Sequence, residues 1–418
     1  MELYEHQKQG LQETEGYNHV AYYHDMGLGK TFTGAEKMMQ LDNKVNLVIC
    51  QKSKIDDWCN HFINNYNLAV YKLTDIKSLN AFITSLDRIS EGRRIGIINY
   101  ELAWRRPELK KLEDFTLMLD ESSLIQNENA KQSKFIMQLK PKNVILLSGT
   151  PTGGKYEKLW SQLNLLGWKI SKQMFYRQFV DFHYEDNCGF PLMIIDGYKN
   201  EERLKRKMRE YGCHFLKTDE VFDLPEQIHQ NITVNSTAEY KNFKKTCISK
   251  KYDLIGDSTL TKMLYERELC GQYNDDKLAA VTDLIESTND RIIIFYNFNA
   301  ELDLLKGICE CVERPYSIVN GSVKDLTAYE SKNACITLIQ YQAGAMGLNL
   351  QKANKIIYFT PTLSSELFEQ SKKRIHRIGQ NKTCFYYYLI CKSSIEEKIY
   401  RTLKMRKDYT EALFESED

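Results

Sequence analysis

The sequence predicts an α/β protein of two lobes, each a mainly parallel sheet flanked by helices, with a helical elaboration between their ordered motifs. At 418 residues the chain exceeds the size at which one hydrophobic core usually stops growing, so two domains are expected. Short, nearly continuous apolar runs alternate with mixed polar stretches of helical length. The alternation lapses after residue 159 and resumes after residue 290, which separates the lobes.

In the first lobe the strand-like runs are residues 45–50, 95–99, 117–119 and 143–147. Each is aliphatic or β-branched with little alternation, as expected of a parallel strand covered by helices on both faces. Residues 53–65 and 75–90 have helical length and mixed polarity. Residues 159–216 read as mainly helical, interrupted around 187–191. Pro225 then precedes Gln227–Val234, whose alternation fits an edge strand entering a new unit. Residues 236–289 read as helical, followed by strand-like runs at 291–295, 316–319, 335–338, 355–359 and 384–389. The predicted domains are residues 1–220 and 225–418, the second including the elaboration at about 236–289.

Composition narrows the class. Hydrophobic residues make up 42%, with 7 prolines and 21 glycines, which excludes collagen-like and proline-rich disordered chains. The 11 cysteines form no CxxC pair and no zinc-like Cys/His cluster, and no apolar run reaches membrane-spanning length. A reducing, cytoplasmic setting is expected, without membrane contact. The 57 basic and 56 acidic residues leave a net charge of +1, which argues against a uniformly cationic surface and leaves room for a local groove. Basic clusters occur at 199–217, at 241–251, and around Lys372, Lys373, Arg374, Arg377 and Lys382. A solvated helix face is the plain alternative for each.

The most informative stretch is His24-Asp25-Met26-Gly27-Leu28-Gly29-Lys30-Thr31. Gly27 and Gly29 permit a tight turn whose amides point at phosphate oxygens. Lys30 suits the β and γ phosphates, and Thr31 opens a helix with its hydroxyl available to Mg²⁺. The strict GxxxxGK[ST] pattern fails at His24, and a glycine-containing turn at a helix start is the alternative. A second element decides between them. Residues 117–119 lead directly into Asp120 and Glu121, where an aspartate can hold Mg²⁺ and the adjacent glutamate can orient and deprotonate a water. Ser148-Gly149-Thr150-Pro151 follows another apolar run, and its hydroxyls suit sensing of the γ-phosphate side; an ordinary turn is the alternative.

In the second lobe Gln370, Arg374 and Arg377 are spaced by four and three, which on a helix places them on one face. Arginine stays charged when enclosed and offers a planar fork of donors to phosphate.

This ordered set resembles the Swi/Snf-like translocases of helicase superfamily 2, as a compact phage or bacterial type. Leu3-Tyr4-Glu5-His6-Gln7 with Gly10-Leu11 resembles the adenine-recognising motif, which implies that Gln7 reads the base. Residues 25–31 resemble the family's phosphate loop. Val48-Ile49-Cys50 with Ile55 and Trp58 resembles the next motif, and Ile98-Asn99-Tyr100-Glu101-Leu102 the one after it, both with loops facing nucleic acid in relatives. Asp120-Glu121 resembles the acidic box. Relatives continue with alanine or glycine and then histidine, whereas this chain has Ser122 and Ser123 and so lacks the histidine to which coupling is assigned. Ile125-Gln126-Asn127 echoes Ile-Lys-Asn, and Ser148-Gly149-Thr150-Pro151 the third motif. Residues 292–298, Asn320-Gly321-Ser322, and the run Tyr341-Gln342-Ala343-Gly344-Ala345-Met346-Gly347-Leu348-Asn349-Leu350 resemble the fourth motif, a following turn and the fifth motif. Gln370 through Gln380, ending in Arg377-Ile378-Gly379-Gln380, resembles the sixth.

The resemblance implies two tandem RecA-like domains with ATP and Mg²⁺ as ligands. Lys30, Asp120, Glu121, Arg374 and Arg377 are then the catalytic candidates. Gln7, Gly27, Gly29, Lys30, Thr31 and Gln370 hold nucleotide, and Thr31 and Asp120 hold the metal. Ser148, Thr150, Tyr100, Gln342, Gly344 and Gly347 serve nucleic-acid contact or coupling. The implied activity is DNA-dependent ATP hydrolysis driving translocation on double-stranded DNA by a monomer, with a recruiting protein as a further partner. A strand-separating DNA or RNA helicase and an ATP-gated binding module are the rivals. The motifs run from near residue 3 to residue 380, and no histone-reader or DNA-binding appendage is recognisable beside them. A phage, plasmid or bacterial DNA-processing role is therefore expected ahead of nucleosome sliding.

Overall fold

The computed structural model describes residues 2–66, 68–86, 92–187, 190–344 and 348–414. The chain divides into two compact units, Met1–Val221 with Asp408–Asp418, and Phe222–Lys407.

The first unit is built on a seven-stranded sheet ordered Ala69–Lys72, Arg94–Asn99, Val45–Cys50, Phe115–Asp120, Asn143–Ser148, His19–His24, Cys213–Leu216. Every pairing in it is parallel. Successive side chains of a strand point to opposite faces, and here both faces are covered. Ala21 and Tyr23 pack with Leu117, Leu119 and Leu146 on one side. Val20 and Tyr22 pack with Met118, Ile145 and Leu147 on the other. That two-sided burial explains the unbroken apolar runs, each buried aliphatic or aromatic side chain contributing about 1.5–3 kcal/mol. Because the strands are parallel, His24, Asp120 and Ser148 end three neighbouring strands at the same edge, with Asp120 opposite Leu147 and Tyr23 opposite Ser148.

One expectation fails in this unit. The stretch 159–216 is not mainly helical: helices Trp160–Leu165, Lys172–Phe179 and Glu201–Glu210 flank an antiparallel hairpin of Val180–Asn187 with Phe190–Tyr198, and Cys213–Leu216 is a sheet strand. The reason is visible in Val180, Phe182 and Tyr184, which alternate with Asp181, His183 and Glu185 at the period of a strand. The basic tract at 199–217 is also partly neutralised internally, by Lys199 on Asp181 at 2.7 Å, Lys205 on Glu202 at 2.8 Å and Lys207 on Glu210 at 2.5 Å.

The second unit carries a sheet ordered Gln227–Val234, Cys384–Cys391, Lys355–Tyr358, Ile292–Tyr296, Ile336–Gln340, Tyr316–Val319, Lys324–Asp325. Only the last pairing is antiparallel. Gln227–Val234 is the edge strand its alternation suggested, exposed along most of its length. The elaboration comprises helices Ala238–Thr246, Thr259–Cys270 and Asp275–Glu286. The side chains of Thr237, Ser258 and Asn274 accept amide hydrogens from their first turns. A short hairpin of Ile248–Ser249 with Leu254–Ile255 interrupts it.

Glu301 is fully buried in this unit. Its Oε2 accepts from Asn297 N at 2.8 Å, Phe298 N at 3.1 Å and Thr360 Oγ1 at 3.0 Å. Burial pushes its pKa up to about 7, against the opposing pull of those hydrogen bonds and of Lys277. A raised carboxyl pKa means that the folded unit binds the proton more tightly than the unfolded chain. Its stability should therefore fall as pH rises from the unfolded value toward 7, by roughly 3 kcal/mol, and level off above. Glu301→Gln, which keeps the acceptor and cannot ionise, should flatten that slope in denaturant titrations at pH 5 and pH 8. An equal slope in both proteins contradicts the assignment.

Candidate nucleotide-hydrolysis site

The strand His19–His24 delivers the glycine-containing loop to the helix Lys30–Gln40. Gly27 and Gly29 both lie in the left-handed region, at φ 93° and 72°, where a side chain is disfavoured. His24 ends the strand with ordinary strand pairing, so the missing glycine at that position costs nothing in conformation. Its imidazole is buried, with Nε2 2.8 Å from His214 Nδ1, while His214 Nε2 is 3.2 Å from Glu13 Oε2. Burial, then the neighbouring His214, Lys30 and His6, hold the His24 pKa well below its ordinary value.

Lys30 Nζ donates to the carbonyls of His24 at 2.7 Å and Asp25 at 3.0 Å, placing the ammonium at the centre of the loop. A side chain at Gly149 would lie 3.3 Å from that nitrogen, so a glycine lets the segment after Ser148 approach the loop. Gln7 is buried, with Nε2 donating to Leu28 O at 3.3 Å and Gly29 O at 3.2 Å and Oε1 accepting from Tyr4 N at 2.9 Å. In this arrangement Gln7 braces the phosphate loop, and reading a base requires it to exchange those bonds.

Asp120 closes its strand, and Glu121 follows at φ 57°, ψ 61°. A left-handed non-glycine residue costs about 1–2 kcal/mol and needs holding in place. Tyr100 does this: fully buried, its hydroxyl donates to Asp120 O at 3.0 Å and Glu121 O at 3.4 Å. Its burial places Tyr100 beneath the acidic pair, away from any surface that could face nucleic acid. Trp58 Nε1 donates to Asp120 Oδ2 at 2.8 Å, a contact that nothing in the sequence announced beyond the indole's presence in a motif. Burial raises the Asp120 pKa, Trp58 opposes, Glu121 adds and Lys30 opposes. Glu121 Oε1 accepts two hydroxyl bonds, from Ser148 at 2.8 Å and Ser123 at 3.0 Å. Thr150 is buried, with its amide donating to Ser148 Oγ at 3.2 Å.

The donors at this edge fit a hard cation. Thr31 offers a hydroxyl at the helix start, and Asp120 a half-buried carboxylate whose ionised form desolvation disfavours and a cation would favour. Among the described residues the cluster with metal-ligand proximity is Cys270, Cys391 and Glu396 in the second unit, where Glu396 is already paired with Lys277 at 2.5 Å.

The sixth-motif residues depart from the expected helix face. The helix Ser365–Lys372 contains only Gln370, which is buried with Nε2 3.3 Å from Glu366 Oε1. The chain then turns, with Arg374 N donating to Ser371 O and Gln380 N to Arg377 O. Gly379, at φ 93°, lies within that turn. The turn separates the two arginines. Arg374 is 2% exposed, with Nη1 3.5 Å from Leu348 O, whereas Arg377 is partly exposed and donates to Asn349 Oδ1 at 2.6 Å. Gln380 fixes the turn from within, its Nε2 donating to Ala353 O at 2.8 Å and its Oε1 accepting from Lys382 N at 3.0 Å. Gln342 is exposed on the short helix Tyr341–Gly344, which also contains Gly344; Gly347 lies outside the described residues.

A phosphate loop, an acidic pair and a hydroxyl segment at adjacent parallel strand ends define a RecA-like nucleotide-hydrolysing unit, followed here by a second RecA-like unit. Residues 17–277 match the SNF2-related domain, and residues 276–379 the helicase conserved C-terminal domain. The chain belongs to the SNF2-related family. It is 24% identical over 424 residues to the ISWI chromatin-remodeling complex ATPase ISW2 of Saccharomyces cerevisiae, covering 90% of this chain and 37% of that protein. It is also 24% identical over 352 residues to YwqA of Bacillus subtilis, provisionally named an ATP-dependent helicase/translocase, covering 74% of this chain and 37% of YwqA. The chain thus spans well under half the length of either relative. A solved SWI2/SNF2 ATPase core from Sulfolobus solfataricus in complex with double-stranded DNA aligns over 98% of this chain and 92% of its own, at 21% identity and a TM-score of 0.46. Among the described residues no helix is long and apolar enough to cross a membrane.

Proposed function

We propose that this chain hydrolyses ATP to drive movement along double-stranded DNA. The observation that carries the reading is the convergence of Lys30, Asp120, Glu121 and Ser148 at one sheet edge. Family membership and the helicase/translocase name of the Bacillus relative support the nucleic-acid half. Lys30 pairs with the β and γ phosphates, and Gln7, Gly27, Gly29 and Gln370 shape the nucleotide site. Thr31 and Asp120 would hold Mg²⁺, which would offset the charge of the nucleotide phosphates. Glu121 orients the attacking water and takes its proton as the water oxygen bonds to the γ-phosphorus and the bridging oxygen leaves on ADP. Arg377 steadies the charge that develops, and Arg374 fixes the turn that presents it. Ser148 and Thr150 report the γ-phosphate, while Gln342, Gly344 and Gly347 meet the nucleic-acid backbone.

Steady-state ATPase measured with duplex DNA, single-stranded DNA, RNA and no polymer tests the reading. Stimulation by duplex without strand displacement is the expected result. Stronger single-strand stimulation makes the chain a strand-separating helicase, and nucleotide binding without turnover makes it a gated binding module. Duplex affinity should also fall with salt and ignore sequence, with a log–log slope of about −0.9 per neutralised phosphate. A flat binding curve from 50 to 200 mM salt, roughly the range over which such contacts are normally lost, contradicts a backbone-reading motor.

A further inference from the structure

Ser122 and Ser123 stand where relatives carry alanine or glycine and then histidine, and the two serines are engaged differently. Ser123 bonds the Glu121 carboxylate, whereas Ser122 turns into the interior. Ser122 Oγ donates to Gln162 Oε1 at 2.8 Å. Gln162, on the helix Trp160–Leu165, donates from Nε2 to Pro151 O at 2.8 Å. Tyr23 OH supplies a second donor to the same Oε1 at 3.1 Å. Ser122, Gln162 and Tyr23 are all fully buried. These bonds close a ring: Glu121 to Ser148 by carboxylate and hydroxyl, along the backbone to Pro151, through the Gln162 amide to Ser122, and back to Glu121.

We infer that Ser122 and Gln162 are positioning residues that relay the state of the acidic pair to the 148–154 segment, in place of a histidine. The inference deepens the proposed function and rests on it for the nucleotide site. Geometry favours a relay over mere satisfaction of buried groups. A side-chain amide has one acceptor oxygen and one donor nitrogen, and here each faces a different motif, so displacing either motif strains the other. Pro151 O also accepts from Gln126 Nε2 at 3.3 Å, so the carbonyl keeps a partner when Gln162 is lost. The second link is therefore not needed to satisfy that oxygen.

The test removes the polar ring while keeping the packing: Tyr23→Phe, Ser122→Ala and Gln162→Leu together, since replacing all partners by apolar groups of similar shape is close to neutral for folding. Amide hydrogen exchange over residues 148–154 is followed with and without a non-hydrolysable ATP analogue and Mg²⁺. The parent should gain about tenfold protection on binding, and the triple variant less than about twofold at similar nucleotide affinity. In ATPase assays the variant should keep its KM for ATP and its basal turnover while losing most of the stimulation by duplex. A triple variant that retains the full exchange response overturns the relay. Should the triple variant not fold, Ser122→Ala alone decides, because Tyr23 still satisfies Gln162 Oε1; an unchanged exchange response in that variant overturns the relay equally. Parent turnover indifferent to duplex would sink the motor reading, and the exchange response would still judge the relay.

Discussion

Glu121→Gln lowers ATP turnover by about 10²–10⁴-fold and leaves nucleotide affinity near that of the parent. The amide keeps an acceptor for the Ser148 and Ser123 hydroxyls that hold Glu121 Oε1, so position is retained and only proton uptake is lost. Lys30→Ala should do the opposite first. It removes a cation that meets charge already present in the ground state, so affinity falls by roughly tenfold to a hundredfold, as for hydrogen bonds to charged groups. Nucleotide binding and single-turnover hydrolysis, measured separately, distinguish the two. Near-parental hydrolysis by Glu121→Gln removes it as the base.

Arg377→Ala should lower turnover by about 10²–10³-fold while sparing ATP affinity and DNA binding, because the charge it meets exists only as the phosphoryl group transfers. Arg377→Lys should restore little, since lysine keeps the charge and loses the planar fork. The structure supplies an internal comparison three residues away. Arg374 is buried against the Leu348 carbonyl, so Arg374→Ala should first lower the melting temperature, and any loss of turnover should follow the loss of folded protein. Melting temperature, ATP affinity and turnover on the three variants decide. A destabilised Arg377→Ala whose folded fraction turns over normally takes Arg377 out of the site.

The two α/β sheets were legible because their central strands are covered on both faces and so carry unbroken apolar runs. His19–His24 escaped notice although it is paired on both sides and buried, because Tyr22, Tyr23 and the flanking histidines dilute the aliphatic signal. Ala69–Lys72 and Cys213–Leu216 lie at the sheet edges and are too short for any periodicity to register. Around the candidate site, Lys30 could be named from the glycine-containing run that precedes it, and Asp120, Glu121 and Ser148 from residue type and position after a strand. Trp58, Tyr100 and Gln162 could not be given their contacts, since each reaches a motif that is distant in sequence. The spacing of Gln370, Arg374 and Arg377 misled because it measures a helix face only while the helix lasts, and the chain turns after Lys372.

The carbonyls of His24 and Asp25 give the Lys30 ammonium a resting place within its own loop. An arriving phosphate thus competes against internal acceptors and does not have to organise a disordered segment. Capture of nucleotide is then an exchange of partners for one cation in a loop that is already formed. On the proposed function, a cation handed between internal carbonyls and phosphate suits repeated release and rebinding of nucleotide along a track.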